Sequence, residues 1–485
     1  MITLRCEPSP TLRRSPSCRT SSPAPCSASI WASTSLRIEA DWMTIRRSLV
    51  LIVVVALALP GVWPVAPTPP ARAQAVDVFL NVTGGGARKL NIAIPEFTVT
   101  TGADPSGAGK TLSSVAGADL TFSGLFSVVA ATGSIPANDP EALRRSWTEF
   151  AAAGAHAGIH GLAALRGDRA EVEMRLYDLT TPDHRLIGTR KFELPVAQLR
   201  RLAHKVADEV VLQFTGEPGI ADTKIAYVVG PVGAKEIVIA DYDGASTTPV
   251  TRNGSINLMP VWSPDARSLA FTSYKQGYPD LYRAFPFERR PDQTLAAFVG
   301  INSSPAFSPD GKSLAMTLSK DGNPEIYVLN LVNGSMRRLT RHAGIDTEPS
   351  WAPTGRQIAF VSDRTGTPHV YVMDAEGANV RQLTSGGFHT QPRWSPRGDT
   401  IAYTQRAGAH DVWVVDIDGS NPRRLTSGGD NQGSTWAPSG RHLAFQSNRL
   451  GRWQIFAMLA DGTAAAPITR GTTESTSPSW SPRLP

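Results

Sequence analysis

From Trp262 onward the apolar positions of the chain repeat. An aromatic residue followed by Ser or Ala and then Pro stands at 262, 307, 351, 394, 436 and 480, at intervals of 42 to 45 residues. Each copy opens a longer unit: PVWSPDARSLAF from Pro260, PAFSPDGKSLAM from Pro305, PSWAPTGRQIAF from Pro349, PRWSPRGDTIAY from Pro392 and STWAPSGRHLAF from Ser434. Within the third unit the pattern predicts a short strand at 349–352 and a turn at Pro353-Thr354-Gly355. A second strand follows at 357–362, a third in HVYVMDA, a hairpin at Glu376-Gly377 and a fourth strand in NVRQLT. Equivalent hairpin glycines stand at 244, 334, 419 and 462. Four meandering strands every 42 to 45 residues predict the blades of a propeller.

Counting the strands predicts how the ring closes. The second-strand signature occurs six times, at 225–227, 269–271, 314–316, 358–360, 401–403 and 443–445. The first of these has no first strand before it, and the last aromatic motif, at Trp480, has no second strand after it. A strand over 478–482 is therefore expected to join the sheet of residues 224–251, closing six blades and covering two open edges.

Residues 76–218 carry a different pattern. DVFLNV and KLNIAIPEF read as strands, and Asp139-Pro140 starts a helix with Leu143, Trp147 and Phe150 on one stripe. AEVEMRLYDL and RLIGTRKFEL alternate as a hairpin. A helical apolar face then runs through Val196, Leu199, Leu202, Ala203, Val206, Val210 and Phe214 and ends at Gly216. The expected fold class is an all-β six-bladed β-propeller over 222–485, preceded by a small α/β domain and joined to it by TGEPGIADT.

The leader changes how the charge is read. The chain of 485 residues has a formal charge of +6 and a pI near 9.3, which would suit an acidic partner. MTIRRSLVLIVVVALALPGVWPVAPTPPARAQA, from Met43, has a basic start, eleven unbroken apolar residues at 49–59 and small residues at 71/73 or 73/75. It reads as a signal peptide over 43–75, too short to span a bilayer. Residues 1–42 are expected to be a misassigned upstream extension. Eight Arg and three acids precede residue 74, leaving 40 basic and 39 acidic side chains after it. A nucleic-acid partner is thereby disfavoured. Cys6, Cys18 and Cys26 also precede residue 74, so the exported chain is expected to rely on core size rather than disulfides.

Motifs for chemistry are weak. GADPSGAGKT, residues 102–111, resembles a phosphate loop, but Asp104 stands where its first glycine belongs and brings negative charge to a phosphate cradle. His156 and His160 in HAGIH have no Glu between them and lie among glycines, so no metal site is expected. G-x-S-x-G is absent after residue 74. Neither cofactor nor metal is expected. The remaining candidate is surface: the loops before each innermost strand, INLMP, GINSSP, GIDTEP, GFHTQP, DNQGS and ESTSP, converge on one mouth of the central channel. The aromatic rings of the repeat are expected to pack between blades.

The order of these features resembles the TolB family, the periplasmic component of the Tol–Pal envelope system: leader, α/β domain, TKIAYVV, repeats of the PVWSPDARSLAF kind and a terminal PSWSP. The resemblance implies a monomeric, non-catalytic periplasmic binding protein that meets membranes only through its partners and supports outer-membrane integrity and cell division. It implies that the channel mouth docks the peptidoglycan-associated lipoprotein Pal, which places that contact on Asn302, Ser303, Asp346, Thr347, Glu348, His389, Thr390 and Gln391. It also implies that the mature N-terminal segment, Gln74, Ala75, Val76, Asp77, Val78, Phe79 and Leu80, engages TolA, as a strand along a partner's edge. The chain departs from the pattern at Ser434, at the irregular stretch 275–300 and at the small side chains of INSSP. The alternative reading is a propeller-gated hydrolase or a small-ligand-binding periplasmic protein, with grouped acids or a nucleophile at the mouth.

Overall fold

The computed structural model of the protein describes residues 89–101, 104 and 107–484. The expected upstream extension, the leader, the strand in DVFLNV and the segment Gln74 to Leu80 lie outside the described residues.

The α/β domain is built on one mixed sheet. Its strands run in the order Phe126–Val129, Leu90–Ala93, Ala157–Arg166, Arg169–Asp178 and Leu186–Pro195, with Thr98–Thr101 pairing beside Leu162 to Ala164. Pairings among the first three strands are parallel and those among the last three antiparallel. Helices α1 (Ala108–Phe122) and α3 (Leu199–Thr215) cover one face, and α2 (Pro140–Ala152) covers the other. Alternation along each strand sorts the residues: Ile92 and Leu176 go to the α1/α3 core, Ala93 and Tyr177 to the α2 side. As the proline predicted, α2 starts at Pro140, and Asp139 Oδ1 accepts from the amides of Glu141 and Ala142 at 3.1 and 2.9 Å.

HAGIH proves to be the start of the central strand Ala157–Arg166, and its glycines have a packing reason. A Cβ on Gly158 would stand 2.6 Å from the Trp147 ring, and one on Gly161 2.3 Å from the Phe97 ring. Two aromatic rings lie flat on this backbone. Asp104 is also explained. Its carboxylate accepts from the amides of Ala108 (2.6 Å) and Gly109 (3.1 Å), so the first turn of α1 already holds an anion of its own.

Six four-stranded sheets make up the rest of the described chain. We number the blades I (257–296), II (302–338), III (346–382), IV (388–424), V (431–467) and VI (475–480 with 224–249). In blade VI the last strand, Ser475–Trp480, pairs antiparallel with Lys224–Val229. It begins and ends a little before the 478–482 span read from sequence, because pairing starts at the loop that enters the blade. The Ser481 amide donates to Lys224 O at 2.8 Å, the Lys224 amide to Ser481 Oγ at 2.9 Å, and Trp480 Nε1 to Thr223 Oγ1 at 2.8 Å. Three other rings bind blade to blade: Trp262 Nε1 donates to Ser479 O, Trp351 to Ala306 O and Trp436 to Arg393 O, at 2.9 to 3.2 Å, whereas Trp394 Nε1 donates to Gly398 O within its own blade. Between blades lie apolar layers from the second and third strands, with Phe271, Phe360 and Phe445 fully buried.

The α/β domain sits at the blade end that carries the first turn and the last hairpin of blades V and VI. The Phe122 ring stacks on His442 (4.7 Å between centroids), and His442 Nε2 donates to Phe122 O at 2.9 Å. At the centre of the seam is Asp119. Its Oδ1 accepts from Tyr242 Oη at 2.6 Å and its Oδ2 from His204 Nδ1 at 2.8 Å. One apolar cluster runs from α1 and α3 through Ile225, Tyr227 and Trp480 into the propeller.

Candidate functional site: the channel and its mouth

The innermost strands begin at the mouth that faces away from the α/β domain, and successive positions along them lie at successive depths. The first position is Asn257, Asn302, Asp346, His389, Asn431 or Ser475, and all six are buried. This corrects the rim placement of three predicted contact residues. Asn302 Nδ2 donates to Phe298 O at 2.7 Å, Asp346 accepts from Arg364 Nη2 at 2.9 Å, and His389 Nδ1 meets His369 Nδ1 at 3.0 Å. The third strand of the preceding blade carries a polar residue at or near its start, Glu236, Asp280, Glu325, His369, Asp411 or Gln454. Four of these bond the first position inside: Glu236 to Asn257, Asp280 to Asn302, His369 to His389 and Asp411 to Asn431, while Asp346 is held by Arg364 of its own blade. In five blades a threonine hydroxyl (Thr251, Thr340, Thr384, Thr426, Thr469) accepts the amide that follows this residue.

The second position, which includes Ser303, Thr347 and Thr390, is half-buried. The third forms a ring of its own. Met259, Ser304, Glu348, Gln391 and Ser477 all have φ between +52° and +54°, and Gly433 has +64°. Each strand slips register there against its neighbour, forming a bulge. These residues line a waist of about 60 Å³ in the channel, together with Arg393 and Gln446. Glu348 and Gln391 are therefore waist residues.

Side chains bridge the bulges from blade to blade. The Gln391 amide donates to Glu348 Oε2 at 2.6 Å, Gly433 to Gln391 Oε1 at 2.8 Å and Ser477 to Gln446 Oε1 at 2.7 Å. Glu348 and Arg393 are enclosed by protein except along the channel. Burial pushes the Glu348 carboxyl up, offset by the bulge amide and the Arg393 charge, and pushes the Arg393 guanidinium down. Beyond the waist the channel widens to about 410 Å³ among the repeat prolines and Ser350, Thr435 and Ser479.

A left-handed conformation costs a non-glycine residue roughly 1–2 kcal/mol. Ser477→Gly is therefore expected to be neutral or to stabilise by up to about 1 kcal/mol, whereas Thr476→Gly, one residue earlier in regular strand, should destabilise by about the same amount. Urea unfolding of the pair checks this; equal losses would contradict the bulge geometry.

Both halves of the chain match known family profiles in the order the fold shows. The TolB amino-terminal domain matches residues 78–184 and the TolB beta propeller domain residues 211–484. The chain belongs to the TolB family. It is 34% identical over 232 residues to the Tol-Pal system protein TolB of Desulfosudis oleivorans, covering 46% of this chain and 51% of that protein. It is 37% identical over 268 residues to that of Anaeromyxobacter dehalogenans, covering 53% and 58%. The chain thus spans about half the length of the curated relatives it matches. Among solved structures it is similar to the crystal structure of TolB from Acinetobacter baumannii, with a TM-score of 0.71 and 28% identity over 81% of this chain and 97% of that one.

Several exposed residues near the same mouth escaped the sequence reading: Tyr278 on a turn of blade I, Phe298, Val299 and Ile301 before blade II, and Ile345 before blade III. The signal for them was large apolar side chains in loops otherwise made of small polar residues. Among the described residues no helix is long and apolar enough to cross a membrane.

Proposed function

We propose that this chain is a periplasmic, non-catalytic scaffold of the Tol–Pal system. It takes a Pal-like lipoprotein at the channel mouth and a TolA-like partner through residues 74–80, and so supports outer-membrane integrity and cell division. The observation that carries this reading is the closed propeller behind the TolB amino-terminal domain, in family order across 78–484. The mouth suits a protein ligand. Half-buried Ser303, Thr347 and Thr390 ring the opening, and Phe298, Val299, Ile301 and Ile345 add an apolar rim, the pairing of polar and apolar contacts that interfaces use.

Thr347→Arg, at the half-buried second position of an innermost strand, and Ile345→Glu, exposed in the loop just before it, are expected to weaken capture of purified Pal ectodomain at least about tenfold, a loss of about 1.4 kcal/mol. The melting temperature should not change. Surface plasmon resonance with the immobilised chain reads it. Parent-like binding by both variants would remove the mouth from the interface, and no binding by the parent would overturn the scaffold reading.

A further inference from the structure

We propose that His204, Asp241 and Asp243 form a three-ligand site for a divalent transition-metal ion of the zinc type, at the seam between the α/β domain and the propeller. One ligand atom from each of the three lies within 4.8 Å of the others. His204 on α3 is buried, and its Nδ1–H is taken by Asp119 Oδ2 at 2.8 Å. That bond leaves the Nε2 lone pair free, and Nε2 is buried without a hydrogen-bond partner. A histidine whose far nitrogen is held by a carboxylate, with the near one left open, is the arrangement that orients zinc ligands. Asp119 is fully used, since Tyr242 Oη donates to its other oxygen, so it serves as orienter rather than ligand.

Asp241 and Asp243 flank Tyr242 where the blade VI hairpin turns toward α3. A tetrahedral zinc site with bonds of ~2.0–2.2 Å holds its ligand atoms roughly 3.4 Å apart. The three residues thus need to close by little more than an ångström, which rotation of the exposed Asp243 supplies once its Oδ1 releases the Ala245 amide, 3.1 Å away. Two cations stand by: Lys224 Nζ is 2.6 Å from Asp241 Oδ1, and Arg200 pairs with Asp243 Oδ2. The Arg200–Asp243 pair is partly exposed and a weak competitor, whereas the Lys224–Asp241 pair is largely buried and is the one an ion must displace. A cavity of about 610 Å³ lined by Lys224, Asp241, Arg200 and Gln198 gives an ion its path and leaves room for the displaced side chains. Water would complete the coordination. Bound metal would tie α3 to the propeller hairpin and raise the melting temperature by mass action.

The test is calorimetric titration of zinc chloride into the untagged full chain, stripped with chelator, at about pH 7.5. One site with Kd of about 1 µM or tighter is expected. Asp241→Asn and Asp243→Asn should each weaken it at least about tenfold, Asp243→Asn with metal-free melting unchanged. Lys224→Met should tighten it. Cobalt(II) should give the intense visible bands of a four-coordinate site in the parent and lose them in both Asn variants. Zinc binding unchanged by either Asn variant, or no binding by the parent, overturns the proposal.

Discussion

A chain ending at Glu474 is expected to melt more than about 10 °C below the parent and to associate in solution. The magnitude follows from what residues 475–485 hold. Trp480 is 5% exposed, packs in the cluster that joins the two domains and donates to Thr223 Oγ1; its replacement by Ala alone should cost about 3–5 kcal/mol. Removing the strand also frees the edge of Lys224–Val229 and the Lys224 amide and carbonyl, and it leaves Trp262 Nε1 of blade I without the Ser479 carbonyl it donates to. Against a total stability of about 5–15 kcal/mol, these losses threaten the whole ring. Circular dichroism melting and size-exclusion chromatography read the outcome. Parent-like behaviour of the truncated chain would mean that the six sheets do not depend on closure.

The blades were legible because each repeats one solution to one burial problem: an aromatic that reaches the previous blade, a turn, and two strands buried on both faces. The hairpin glycines were legible for a similar reason. Gly244 has φ +86°, and a Cβ there would stand 2.2 Å from Ile468 O, so side chain and backbone both forbid a substitute. The bulges were not legible. Five of the six left-handed positions carry Met, Ser, Glu, Gln or Ser, residues with no positive-φ signal, and only Gly433 announces the geometry. Depth at the mouth was misread for a related reason. Asn302, Asp346 and His389 are polar residues at the start of strands and read as loop. Their partners Asp280, Arg364 and His369 stand about twenty residues away, beyond the reach of local pattern. The one trace is at the channel waist, where the third position changes in kind from blade to blade between nearly constant neighbours.

The buried polar partners between blades also carry the second large effect, a loss of stability in mild acid. His389 and His442 are both pushed down to about 4, chiefly by burial. His389 has His369 against its Nδ1, itself pushed down by burial, with Gln405 near and Tyr403 edge-on. With both imidazoles neutral one ring donates to the other; with both protonated, two donors and two charges face each other at 3.0 Å. His442 donates to Phe122 O through Nε2, while Nδ1 is buried without an acceptor, between the Phe122 and Trp480 rings and near Arg441. A second proton there would put an unpaired charge into the domain seam.

In the unfolded chain each imidazole takes a proton below about 6.5, whereas in the folded chain it resists until about 4. The stability they support is therefore complete above about 6.5 and is lost as the pH falls toward 4, by about 3 kcal/mol for each histidine. Urea unfolding at neutral pH and at about pH 4.5 measures it. His389→Gln and His442→Gln should each be less stable than the parent at neutral pH, where a neutral imidazole bond is lost, yet lose less on acidification. Because His442 lies in the seam, its variant should also show a smaller acid-induced rise in proteolysis between the α/β domain and the propeller. If both variants lose as much stability in acid as the parent, the acid sensitivity belongs to the carboxylates instead, and the buried imidazoles are ordinary packing.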